Sequence, residues 1–71
     1  MAIFDVKKGV LKKCSGDDEH VVIPGEVNEI GSKAFKGLLN LRCIEIPKGV
    51  TSIGAGAFSG CKNLTSVLIP E

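Results

Sequence analysis

Seventy-one residues make at most one small domain, and a chain of that size buries a smaller share of its surface than an ordinary domain does. With 44% hydrophobic and 24% charged residues, the composition is that of a folded chain and excludes disorder or burial in a membrane. Nine Lys and Arg against eight Asp and Glu leave a formal charge of +1, too weak a field to steer the chain to nucleic acid or anionic lipid.

The amino-terminal stretch Met1-Ala2-Ile3-Phe4-Asp5-Val6 carries an early acid, no long apolar run and no small-residue cleavage site. It therefore reads as neither a secretory signal nor a membrane span, and the expectation is a cytosolic chain or a trimmed one. Ile3 to Val6 and Val10 to Cys14 read as two short strands joined by Lys7-Lys8-Gly9, a three-residue hairpin loop with Gly at the left-handed position. A second turn at Ser15-Gly16-Asp17-Asp18 leads into His20-Val21-Val22-Ile23. The expectation is a hairpin cap over residues 1–19 that covers the apolar side of the coil beginning at His20.

From residue 20 onward the chain repeats. Pro24, Pro47 and Pro70 recur at a fixed spacing of 23 residues, and residues 21–43 written above 44–66 give ten identical pairs. Ile23/Ile46, Val27/Val50, Ile30/Ile53, Gly31/Gly54, Ala34/Ala57 and Phe35/Phe58 are among them, as are Gly37/Gly60, Asn40/Asn63 and Leu41/Leu64. These are residue types that set packing and turns. A fixed period of 20 to 50 residues marks a solenoid, in which each unit buries its apolar face against its neighbours.

Within each unit, Leu41-x-x-Ile44-x-Ile46 and Leu64-x-x-Val67-x-Ile69 supply a strand. Its period-2 alternation turns Ile44 and Ile46 inward, and Cys43 and Glu45 outward. Pro47 ends the strand, and Val50 and Ile53 return to the core. Gly31 and Gly54 are expected at positive φ. Ala34-Phe35 and Ala57-Phe58 are placed on one short helical or 3-10 turn on the convex side, ended by Gly37 or Gly60, with each Phe stacked on its copy. Asn40 and Asn63 are suited to hydrogen-bonding the backbone of the turn. Residues 20–71 thus hold two full 23-residue units and the first strand of a third.

The segment IPKGVTSIGAGAFSGCKNLTSVLIP resembles the BspA-like leucine-rich repeat of the Treponema pallidum type, whose unit runs L-x-x-V-x-I-P-x-x-V-x-x-I-G-x-x-A-F-x-x-C. The likeness covers residues 20–71 and departs at Leu38, which stands where the second copy has Cys61; both are apolar, which makes Cys61 a packing residue. The stretch before the first unit also resembles the segment that precedes the repeats in such proteins. The resemblance implies a leucine-rich-repeat solenoid, mainly β, with an N-terminal β-hairpin cap. It further implies a bacterial cell-surface or secreted parent that contacts host or neighbouring-cell proteins.

Site chemistry is sparse. Cys14, Cys43 and Cys61 are odd in number and lack CxxC spacing, so free thiols are expected and not a disulfide framework or zinc knuckle. A zinc site from these with His20 is disfavoured, because Cys61 is expected inside while His20 and Cys43 face outward. Lys7, Lys8, Lys12 and Lys13 read as the lysines of a protected edge strand, since no aromatic residues interleave them and acids follow directly. With one His and scattered carboxylates, no catalytic residues are expected. No cofactor is expected either. Gly54-Ala55-Gly56 lacks the lysine of a phosphate loop and recurs with the repeat.

What remains is the concave sheet. Its outward residues His20, Val22, Cys43, Glu45, Ser66 and Leu68 are the expected binding face for a protein partner. Leu64, Val67 and Ile69 form the expected stacking face, through which the chain is expected either to continue into a longer array or to pair with a second copy.

Overall fold

The computed structural model describes residues 1–69; Pro70 and Glu71, where the third proline of the repeat falls, lie outside the described residues. Among the described residues seven strands form: β1 (Ile3–Lys7), β2 (Val10–Ser15), β3 (His20–Val22), β4 (Glu29–Ile30), β5 (Cys43–Glu45), β6 (Ser52–Ile53) and β7 (Ser66–Leu68). They make two sheets, one in the order β3-β5-β7 and the other β1-β2-β4-β6.

The 23-residue spacing appears directly as sheet register. His20, Cys43 and Ser66 are partners across the first sheet, as are Val21, Ile44 and Val67, and Val22, Glu45 and Leu68. Ile30 partners Ile53 in the second sheet. All of these pairings are parallel. Alternation then decides which side chains go inside: in β5, Ile44 is fully buried between the half-exposed Cys43 and Glu45. Pro24 and Pro47 follow their strands and accept from Val27 and Val50, closing a turn that brings the chain to the second sheet.

The hairpin differs from expectation in two respects. Lys7 pairs with Val10, so the loop is the two residues Lys8 and Gly9, both at positive φ (51° and 79°), as a type I′ turn requires. A bulge between Asp5 and Val6 leaves Lys12 unpaired with β1. The cap also acts on the second sheet: β2 pairs parallel with β4 and sets Leu11 beside Ile30, while the Cys14 N–H donates to the Ala34 carbonyl.

The link from Gly31 to Leu41, and its copy from Gly54 to Leu64, is a chain of tight turns and contains no helix. Ala34 donates to Gly31, Lys36 to Lys33 and Leu38 to Phe35, each three residues back. The short helical or 3-10 turn expected on the convex side is replaced by this series because Lys33 (φ 60°) and Gly37 (φ 75°) are left-handed, as are Gly56 and Gly60. Gly31 and Gly54, in contrast, are not at positive φ. They are glycine because the neighbouring backbone comes too close: a Cβ would meet the Leu11 carbonyl oxygen at 2.9 Å at the first and the Ser32 nitrogen at 2.5 Å at the second.

Phe35 and Phe58 stack as expected, with ring centroids 5.1 Å apart and planes 19° from parallel. Asn63 bonds backbone, but not in its own turn; its Nδ2 donates to the Leu39 carbonyl of the preceding unit at 2.7 Å. Cys61 likewise donates from Sγ to the Phe35 carbonyl at 3.0 Å, so it both packs and bonds between units. Among the described residues the core comprises twelve, centred on the first unit, and Leu11, Val27, Ile30, Phe35, Leu41 and Ile44 among them are without exposure. Among the described residues, those that are buried include no polar or charged type.

Candidate functional site

The six outward residues of β3, β5 and β7 fall on one face in two rows, because each strand contributes its first and third residue to that side. One row is His20-Cys43-Ser66 and the other Val22-Glu45-Leu68. The rows differ in chemistry. The second sets a carboxylate between two apolar side chains that are 59% and 50% exposed.

The rows are tied by one polar contact: His20 Nε2 lies 2.6 Å from Glu45 Oε2, a diagonal pair across neighbouring strands. Both partners remain well exposed, so the pair orients the carboxylate and contributes little to stability. Cys43 sits beside His20 in register, Cys14 is in the core, and Cys61 is directed at Phe35. These thiols are free and do not converge with His20. No group of three metal-ligating side chains gathers among the described residues.

At the carboxyl ends of the strands the second row opens into an apolar trough of about 550 Å³, where Val22 and Leu68 meet Ile46, Val67 and Ile69 with Glu45 on one wall. Ile46 and Ile69 also line a smaller hollow of about 340 Å³ that runs on to Val50 and Ile53. The expected stacking residues fall here: Val67 is 45% and Ile69 69% exposed, and Leu64 is half-buried. Ile53, assigned to the core by its pattern, is instead 50% exposed. Its counterpart Ile30 is fully buried, as Ile53 covers it and nothing among the described residues covers Ile53 in turn. Only the repeat arithmetic, applied to the last unit, carries a signal for this.

Stacked parallel strands of 23-residue register, the LxxLxL spacing and the asparagine bonded between units together define the leucine-rich-repeat class. Within it, the family described as BspA type Leucine rich repeat region (6 copies) matches residues 5–71, nearly the whole chain, and the protein belongs to that family. The match begins inside β1, so all of the hairpin but Ile3 and Phe4 lies within it. No curated protein and no solved structure matches the chain significantly. Repeat domains of this class generally mediate protein–protein interaction, and the family is typically non-catalytic.

Proposed function

We propose that the protein is a non-catalytic binding module that presents the outward face of β3, β5 and β7 to a protein partner. The observation that carries this reading is the Val22-Glu45-Leu68 row, in which a carboxylate oriented by His20 stands between two exposed apolar side chains beside the trough. Apolar contact on both sides supplies affinity, and the acid selects a basic group between them. Cys43 and Ser66 complete the face with small side chains that let a partner approach. On this reading the chain is a segment of a longer bacterial surface repeat protein, and its partner is a protein of a host or neighbouring cell.

Selecting displayed peptides against the 71-residue chain tests this reading. Binders are expected to be enriched in apolar-basic-apolar segments and to lose at least tenfold in affinity against Val22→Ser/Leu68→Ser, while keeping it against Lys36→Ala on the turn side. Binders indifferent to the double change would overturn it.

A second reading is a structural one, in which the chain is an assembly unit and its main contact is through the last unit. It is favoured by the exposure of Ile53, Val67 and Ile69 at positions whose counterparts Ile30, Ile44 and Ile46 are buried. Sedimentation of the 71-residue chain separates the two readings.

A further inference from the structure

We propose that the open face of the last unit pairs with the same face of a second copy about a twofold axis that passes between Val67 and its copy, joining β7 to its copy as an antiparallel pair; this rests on the assembly reading above.

The first argument is the backbone of β7. Toward β5, the Ser66 N–H donates to the Arg42 carbonyl and the Leu68 carbonyl accepts from Ile46. Backbone groups alternate sides along a strand, so the N–H and C=O of Val67, between them, point to the open edge. A residue beside a twofold axis that presents both groups toward it exchanges two hydrogen bonds with its own copy across the axis, which is the hydrogen-bonded pair of an antiparallel ladder. Such a rotation, perpendicular to the sheet, keeps inward side chains inward. Val67 therefore meets Val67 of the second copy inside, and Leu68 stays on the outward face.

The rest of the face is self-complementary in the same sense. Between the two units, Asn28 and Ile30 offer carbonyls forward, which accept from Thr51 and Gly54. Lys33, Phe35 and Gly37 offer N–H groups forward, which donate to Ala55, Ala57 and Ser59. Moved on by 23 residues, the open face carries acceptors at Thr51 and Ile53 and donors at Gly56, Phe58 and Gly60. The acceptors lie on the chain leaving the first sheet and the donors on the chain returning to it. A twofold between Val67 and its copy exchanges these flanks, so donors of one copy face acceptors of the other.

Head-to-tail stacking lacks this match in the second sheet, where the leading side is already occupied: β2 pairs with β4, and the bulged, lysine-bearing hairpin lies beyond it, so that only β3 of the first sheet keeps a free leading edge. The apolar content of the seam is the inward set Ile53, Val67 and Ile69.

Sedimentation equilibrium on the 71-residue chain, with amide exchange read by NMR, tests the pairing. The expected result is a species of twice 7.4 kDa whose Val67 amide becomes more protected as concentration rises. Val67→Pro removes the outward donor without touching a bond to β5 and is expected to give a monomer with an unchanged strand spectrum. Ile53→Lys, on the seam but outside β7, is expected to do the same and covers the case in which the proline variant does not fold. A folded wild-type monomer at millimolar concentration would sink both the pairing and the assembly reading. A dimer lost with Ile53→Lys whose Val67 amide stays unprotected, or that survives Val67→Pro, overturns the twofold pairing and leaves the assembly reading standing. Growth beyond the dimer overturns the twofold as well.

Discussion

Phe35 and Phe58 are the same residue of successive units, stacked at 5.1 Å, yet Phe35 is fully buried and Phe58 only half so. The difference is position alone: Phe35 has a neighbour on both sides and Phe58 on one. Phe35→Ala is expected to cost about 3–5 kcal/mol, the usual range for emptying a buried aromatic site, and Phe58→Ala clearly less. In a domain whose total stability is of order 0.05–0.15 kcal/mol per residue, the first change approaches global unfolding. Urea titration of both variants checks the order; equal losses would show that the two sites are packed alike.

The glycines at 31 and 54 separate two reasons for glycine that a sequence does not distinguish. A Cβ at Gly54 would strike backbone of the preceding unit at 2.5 Å, whereas one at Gly49 has open space around it. Gly54→Ala is therefore expected to force the units apart and destabilise by more than about 1 kcal/mol, because backbone cannot swing away as a side-chain tip can. Gly49→Ala, at a site with room and no positive φ, is expected to be neutral or to stabilise by about 0.4–1 kcal/mol through the unfolded chain. Thermal melts of the pair decide.

Lys33 offers the opposite test. It occupies the left-handed region at φ 60°, where the second unit has Gly56 at φ 65°. A non-glycine residue there carries a strain of roughly 1 kcal/mol, so Lys33→Gly is expected to raise the melting temperature by a few degrees, and Gly56→Ala to lower it. A Lys33→Gly variant that melts lower would mean that the lysine makes a compensating contact through its aliphatic stem.

Sheet register and the core of the first unit were legible because both follow from period: 23 residues fix which strands meet, and alternation fixes that Ile44 goes in and Glu45 out. The outward rows follow from the same two periods. The turn arm was not legible. Ala34-Phe35 is compatible with a helical turn, and the left-handed Lys33 that prevents one is a lysine, a residue that carries no such signal. Gly31 signals a constraint without saying whether φ or proximity imposes it. The His20–Glu45 contact was also out of reach, since the outward placement of both residues does not determine that the side chains lean toward one another across neighbouring strands.

The thiols differ in chemistry because they differ in surroundings. Burial, with a smaller contribution from Asp18, pushes the Cys14 thiol up to about 11, while Cys43 stands half-exposed on the outward face. At pH 8, iodoacetamide is expected to label Cys43 readily and to leave Cys14 unlabelled until the chain unfolds, since the thiolate is the nucleophile. The same shift makes stability depend on pH in the alkaline range. An unfolded thiol ionises near 9, and the native one holds its proton to about 11. Between those values the unfolded state loses a proton that the native state keeps, so stability contributed by Cys14 is complete below about 9 and is lost as pH rises toward 11. Cys14→Ala is expected to lower stability at neutral pH, because it empties part of the core, and to flatten the fall between pH 9 and 11. Urea titrations of both chains across that window check it: an equally steep fall without the thiol would assign the alkaline loss to another group.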